Sequence, residues 1–285
     1  MINYNSASAL KTFLEQEGLG MQKKFGQNFL INPNTRLALA DALGALTGDD
    51  VWEIGSGLGA MTALLLERGL SVKAFEIDLG FIRVLKRVFS DNKNFNLIEG
   101  DAMKTWQGQP PAPFLLGNLP YNIAAALLAD FIEKGRLFSR MVVTVQKEVA
   151  LRMAASAGSP DYSSFSVLCA SVYKVKPLMI IRRESFYPQP NVDSMGVLLE
   201  NKNAPVFPSV FFPLVRALFA SRRKTVKNNL LTFFSAGSFR KEKIPVQELC
   251  SAVLSENAVK ENERAENLEI EAFLSLAKSI DNMRL

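Results

Sequence analysis

Between residues 49 and 146, short apolar runs alternate with amphipathic ones, a spacing that fits strands followed by helices. DDVWEIGSG reads as a strand, and the helix behind it runs through Leu66 and stops at Arg68-Gly69, in the manner of a glycine cap. SVKAFEID is a second strand, LGFIRVLKRVF a helix and FNLIEGD a third strand. Past the proline-rich loop QGQPPAP come FLLGNLPY, the helix IAAALLADFIEK and the strand RMVVTVQ. PLMIIRRE and SMGVLLE add two more strands. Such alternation implies an α/β fold, a mostly parallel sheet with helices on both faces. From about Phe207 the pattern is helical only, and ELCSAVLSE and IEAFLSLAKSI carry apolar residues at helical spacing. The expected division is therefore a first domain over 1–206 and a small α-helical domain over 207–285.

Composition narrows the chemistry. At 285 residues and 48% hydrophobic, the chain can bury one large core and a smaller second one. No apolar run reaches membrane-spanning length, and PVFPSVFFPLVRALFA is broken by prolines and Arg216. The start, MINYNSASALKTFLEQEG, lacks a basic stretch leading into a hydrophobic one, so nothing suggests export. Cys169 and Cys250 lie far apart, which fits a reducing cytoplasm better than a disulfide framework. With no histidine at all, Ser-His-Asp triads, Cys-His pairs and nearly every zinc site are excluded, and no metal is expected.

The net charge of +5 is unevenly placed. Between Ser221 and Lys243 stand Arg222, Arg223, Lys224, Lys227, Arg240, Lys241 and Lys243 against Glu242 alone, a local excess of +6. Such a cluster is either a solvated helix face or a patch for a polyanion, whose phosphates release counterions when Lys and Arg meet them.

Candidate chemistry starts where the first strand ends. Gly55-Ser56-Gly57-Leu58-Gly59-Ala60 joins a strand to a helix, and glycines there let the chain turn sharply and a ligand approach closely. The loop alone fits two ligands, because Gly55, Gly57 and Ala60 also satisfy the dinucleotide pattern G-x-G-x-x-A with Glu76 near the place of a ribose-binding acid. Three further features favour S-adenosylmethionine. Glu53 precedes the glycines, Asp101 ends the third strand where it can accept from an adenine amine, and GNLPY follows at residues 117–121. A sulfonium cation suits acidic residues better than a phosphate cradle does.

GNLPY itself matches the demands of methylating adenine's exocyclic amine. That amine is a poor nucleophile, since its lone pair is delocalised into the ring. Two acceptors on its two N–H groups would hold it and favour pyramidal geometry. The side-chain oxygen of Asn118 can be one and the carbonyl of Leu119 the other, its direction fixed by Pro120. Tyr121 offers a stacking face worth about 1–3 kcal/mol per base. On the other face of an extruded base, Phe186 of ESFYPQPNVDS is the candidate second ring. The plainer alternatives are a proline turn capped by Asn118 and a hydrophobic plug at Phe186.

The ordered set KKFGQNFL, EIGSGLGAMT, AFEID, EGDAMK, GNLPYNI, QKEVALRM, FYPQPNVDS, RRKTVKNNL and RAENL resembles the ribosomal RNA adenine dimethyltransferases. It is most similar to the bacterial small-subunit type whose loss gives kasugamycin resistance, from about Lys23 to the C-terminus. The resemblance implies a Rossmann-like class I methyltransferase domain with a helical C-terminal domain that binds RNA or the ribosome. It implies two methyl groups added to each of two adjacent adenosines in the hairpin near the 3′ end of 16S rRNA, and a role in small-subunit biogenesis. The implied cofactor is S-adenosyl-L-methionine. The implied partner is 16S rRNA in the small subunit or its precursor, for a cytoplasmic monomer with no membrane partner. By position, donor contacts fall on Asn28, Leu30, Gly55, Glu76, Asp101 and Asn118, and base contacts on Tyr121 and Phe186; Gly57 of the glycine loop is a further candidate donor contact, and Arg222, Arg223, Lys224 and Lys227 of the basic cluster are the candidate RNA contacts.

Ser56, Ala124 and Leu151 depart from the commoner residues of that pattern, and Ala124 bears on positioning near the target base. Three alternatives stay open on sequence grounds: the large-subunit enzymes that confer macrolide resistance, a nicotinamide oxidoreductase, and a non-catalytic assembly factor of the same fold.

Overall fold

In the computed structural model the described residues are 2–21, 26–204, 206–236 and 245–283. Two compact units emerge: Met1–Ala150 with Lys174–Asn201, and Leu151–Tyr173 with Lys202–Leu285. The expected boundary near residue 206 thus differs from the observed one, because 151–173 belongs with the C-terminal helices.

The first unit begins with α1 (Ala7–Gln16), β1 (Phe29–Leu30) and α2 (Pro33–Leu43). The alternating region follows as β2 (Asp50–Ile54), α3 (Ala60–Glu67), β3 (Ser71–Glu76), α4 (Leu79–Phe89) and β4 (Phe95–Glu99). It continues through α5 (Ala102–Thr105), β5 (Phe114–Asn118), α6 (Ala124–Glu133) and β6 (Arg140–Gln146). The division between units falls within α7 (Lys147–Ala154), and α8 (Ser164–Val172) follows. The chain then returns as β7 (Tyr173–Ile181), β8 (Phe186–Tyr187) and β9 (Ser194–Asn201).

The main sheet has the order β4-β3-β2-β5-β6-β9-β7. Strands β4 to β6 run parallel and β9 is antiparallel to β6, pairing Gln146 with Ser194 and Arg140 with Glu200. Burial on both faces explains the unbroken apolar runs. Val51 joins Leu43, Leu65, Val72, Leu116 and Val142 in the core, while Trp52, the next residue, has its ring centroid 5.3 Å from that of Phe138. Adjacent strand residues point to opposite faces, so β2 needs cover on both. The strand order reverses between β2 and β5, and their carboxyl ends therefore flank a crevice, the usual ligand site of such sheets.

The second unit contains α8 and the helices α9 (Phe211–Phe219), α10 (Val226–Ala236), α11 (Val246–Glu256) and α12 (Ile270–Asn282). Phe273, Leu276, Ala277 and Ile280 of α12 and Phe211, Leu214, Val215 and Leu218 of α9 are buried at i, i+3, i+4, i+7. They share one core with Tyr162 and Val167, and the Tyr162 hydroxyl donates to the Leu268 carbonyl at 3.0 Å.

Candidate active site

A cavity of about 270 Å³ opens at the carboxyl ends of β2, β3 and β5. Asn28, Leu30, Gly55, Gly57, Glu76, Asp101, Asn118, Leu119, Pro120 and Tyr121 all line it. The structure thus brings together every donor-contact residue expected from the sequence and Asn118 to Tyr121 of GNLPY. Phe186 is the exception.

The loop after β2 can turn only because it is glycine. Gly57 and Gly59 have φ of +58° and +90°, and a Cβ on Gly59 would sit 2.5 Å from the Phe89 ring. The turn delivers the Gly57 N–H to Glu76 Oε2 at 2.7 Å, while Glu76 Oε1 accepts from the amides of Ile77 and Asp78 at 2.9 Å each. Burial nevertheless dominates, pushing the Glu76 carboxyl up to about 7 against the lowering effect of those amides. On the cavity floor, burial pushes Glu53 up to about 8, opposed by the 2.5 Å hydrogen bond donated by Thr62 Oγ1. Asp101 caps α5, with Oδ1 accepting from the Met103 amide at 3.0 Å.

Across the crevice, Asn118 ends β5. Its amide nitrogen donates to the Asn28 carbonyl at 2.7 Å, and the Asn28 side chain donates to the Gly26 carbonyl at 3.0 Å. Anchored through nitrogen, the Asn118 carboxamide keeps its oxygen as the acceptor end. The Leu119 N–H donates to the Thr144 carbonyl at 3.1 Å, so the chain leaves the sheet from a fixed point. Pro120 then accepts from the amides of Ile123 and Ala124 at the start of α6, locking the turn. The half-buried Tyr121 meets Ser194, with 2.5 Å between hydroxyls.

Phe186 does not face this cavity. Its ring is 1% exposed and lies in the core with Leu30, Leu39 and Leu43, and its strand β8 pairs antiparallel with β1. An apolar ring on a two-stranded ribbon is drawn into the core by burial, whereas Tyr121 has a hydroxyl to satisfy at the surface. Phe186 thus lies in the core and apart from the cavity that Tyr121 lines.

Sequence reasoning missed Tyr4 and Arg36, both of which line the cavity. Arg36 is buried, and its Nη1 donates to the Leu30 carbonyl at 2.5 Å; the Tyr4 hydroxyl donates to the Leu58 carbonyl at 3.0 Å. Neither belongs to a motif, so no sequence signal marks them.

In the helical unit the cations divide. Arg222 donates to Glu266 Oε2 at 2.9–3.0 Å and to the Pro160 carbonyl at 3.1–3.2 Å, and Lys227 donates to Glu261 at 2.7 Å. Arg223 and Lys224 are exposed, without ion pairs among the described residues. Arg240, Lys241 and Lys243 of the same basic segment, and Lys23 and Lys24 of KKFGQNFL, lie outside the described residues. Among the described residues, no group of three or more His, Cys, Asp or Glu could hold a metal, and no helix is long and apolar enough to cross a membrane.

The chain is 45% identical to "Ribosomal RNA small subunit methyltransferase A" of Treponema denticola, over 99% of this chain and 97% of that one. The protein of the same name from Borreliella burgdorferi is 37% identical over 98% and 96%. Among solved structures, a dimethyladenosine transferase from Plasmodium falciparum superposes with a TM-score of 0.76 at 28% identity, covering 88% of this chain and 97% of that one. The 23S rRNA methyltransferase ErmE shares the fold, with a TM-score of 0.63 at 20% identity, covering 88% of this chain and 99% of that one. The profile of the family described as "Ribosomal RNA adenine dimethylase" matches residues 18–282, and the chain belongs to that family.

Proposed function

We propose that this rRNA adenine dimethylase uses S-adenosylmethionine to convert two adjacent adenosines near the 3′ end of 16S rRNA to N6,N6-dimethyladenosine. The substrate is the small subunit or its precursor, and the enzyme acts as a cytoplasmic monomer in subunit biogenesis. The single observation that carries the chemistry is the Asn118 carboxamide, held by its nitrogen on the Asn28 carbonyl at the cavity wall.

The cavity residues fit a cationic donor. Glu76 and Asp101 line it, and the Gly57 amide in the loop before α3 is already taken by the Glu76 carboxylate. A pyrophosphate needs such amides free and no carboxylate beside them, which disfavours a dinucleotide. Glu76 would hold the ribose hydroxyls, Asp101 the adenine amine, and Asn28, Leu30, Gly55 and Gly57 the remaining contacts. When bound, S-adenosylmethionine supplies an electrophilic methyl group on a cationic sulfur.

The protein's part is positioning. The oxygen of Asn118 and the carbonyl of Leu119 accept from the two N–H groups of the target amine, directing its lone pair into the crevice. Pro120 stiffens the peptide and Tyr121 stacks on the base. No strong base is required, because the amine's proton becomes acidic only once the new bond has formed. In the second unit the exposed Arg223 and Lys224 contact rRNA phosphates, while Arg222 and Lys227 beside them are held by Glu266 and Glu261.

The test supplies labelled donor to unmethylated small and large subunits separately, followed by digestion and mapping of the modified nucleoside. Label in two adjacent adenosines of the small subunit is expected. Label in the large subunit alone would overturn the substrate assignment.

A further inference from the structure

The segment NVDS ends in Asp193 and Ser194, two residues with no part in the chemistry above. Ser194 opens β9, is fully buried, and has its Oγ 2.5 Å from the Tyr121 hydroxyl. The seryl group is itself held rigidly. It stands opposite Gln146 in the β6–β9 pair, and the Lys147 amide donates to the preceding Asp193 carbonyl at 3.0 Å. The Arg183 amide donates to the Asp193 carboxylate at 3.0 Å. Tyr121, by contrast, sits in the turn between β5 and α6, where little but its own side chain can fix the ring. Burial raises the pKa of its phenol, so the hydroxyl stays protonated and able to hydrogen-bond.

A stacking residue works best when its plane is set before the base arrives, because ordering it afterwards weakens binding. A hydrogen bond at the far end of the ring from Cβ removes the rotation that a turn residue would otherwise keep. We propose that Ser194 is a positioning residue: its hydroxyl holds the Tyr121 phenol and so presets the ring that receives the target adenine. This rests on the stacking role given to Tyr121 above.

The experiment compares Ser194→Ala, Tyr121→Phe, the double variant and Tyr121→Ala on unmethylated small subunits, with donor binding by calorimetry and thermal melting measured alongside. Ser194→Ala and Tyr121→Phe should each lose about tenfold in kcat/KM for the subunit. The double variant should lose no more than either, since both break one bond. Donor affinity and melting should be unchanged, and Tyr121→Ala should lose more, roughly a hundredfold. If Tyr121→Ala is impaired while both single variants match the parent, the tether is overturned and the stacking role survives. A fully active Tyr121→Ala removes the stacking role itself. Additive losses in the double variant, or losses that track melting, make Ser194 merely structural and overturn the inference.

Discussion

The carboxylates at the strand ends and the cations of the helical unit are both dense in charge, yet they are held in opposite ways. Glu53 and Glu76 are 2% and 6% exposed, and their carboxyls are pushed up to about 8 and about 7. Arg222 and Lys227 sit at the surface and are matched by Glu266 and Glu261 of their own unit. A desolvated carboxylate is costly and persists where function requires it, whereas a surface ion pair contributes about 0–1 kcal/mol. Density of charge therefore says less about the reaction centre than burial does.

The sharpest way to break that comparison is at Asn118, the polar group on the crevice wall opposite the carboxylates. On the proposed mechanism Asn118→Ala removes an acceptor from the target amine, and it should lower the methylation rate by roughly 10³-fold. Donor affinity, measured by calorimetry, should stay within a few-fold. Full activity in this variant would leave the GNLPY turn without a chemical role.

Phe186→Ala probes the same unit through packing alone. Deleting a ring that is 1% exposed from a core with Leu39 and Leu43 should cost about 3 kcal/mol of folding stability, read by denaturant unfolding. A variant that unfolds like the parent yet methylates poorly would return Phe186 to the reaction.

Much of this contrast was legible in sequence. The five parallel strands β4-β3-β2-β5-β6 follow from periodicity and the Gly55–Gly59 turn from glycine spacing, because both faces of that sheet are buried and the turn needs positive φ, whereas Asn28 and Leu30 of the crevice were marked only by the resemblance. What escaped the pattern has physical causes. Helix α8 buries Phe165, Ser166, Val167, Leu168, Cys169, Ser171 and Val172, leaving no polar stripe to give it helical period. Helix α2 does carry signals, with Asn32 at its N-cap, Pro33 at its first position and Gly44 at φ +67°, but its apolar face is weak. Within one strand pair, Leu30 lines the cavity while Phe186 opposite does not; which way a two-residue strand turns its side chains cannot be read from spacing.

A smaller effect sharpens the carboxylate half of the comparison. Glu53 has a folded pKa of about 8 against an ordinary 4.5, so its protonated form contributes stability below about pH 4.5 that is lost as the pH rises through about 8. Glu53→Gln does not titrate, and should gain on the parent between about pH 5 and pH 9 by on the order of 2 kcal/mol in denaturant unfolding. The residual pH dependence would belong to Glu76, raised in the same direction. Parallel stability curves for the two proteins would mean that Glu53 is already ionised in the folded state.

The smallest effects should separate the cations from one another. Arg223 and Lys224 are exposed and unpaired among the described residues, so they can meet phosphate without first breaking an ion pair. Replacing both by Ala should reduce the slope of log affinity against log salt by roughly 1.5, about 0.7–0.9 for each phosphate contact. Arg222→Ala breaks the contacts to Glu266 and to the Pro160 carbonyl. It should lower the stability of the helical unit by about 1 kcal/mol and leave the salt slope where it was. Equal changes in slope from Arg222 and from Arg223 would show that the Glu266 pair opens when RNA binds, and would erase the distinction between structural and phosphate-binding cations in this segment.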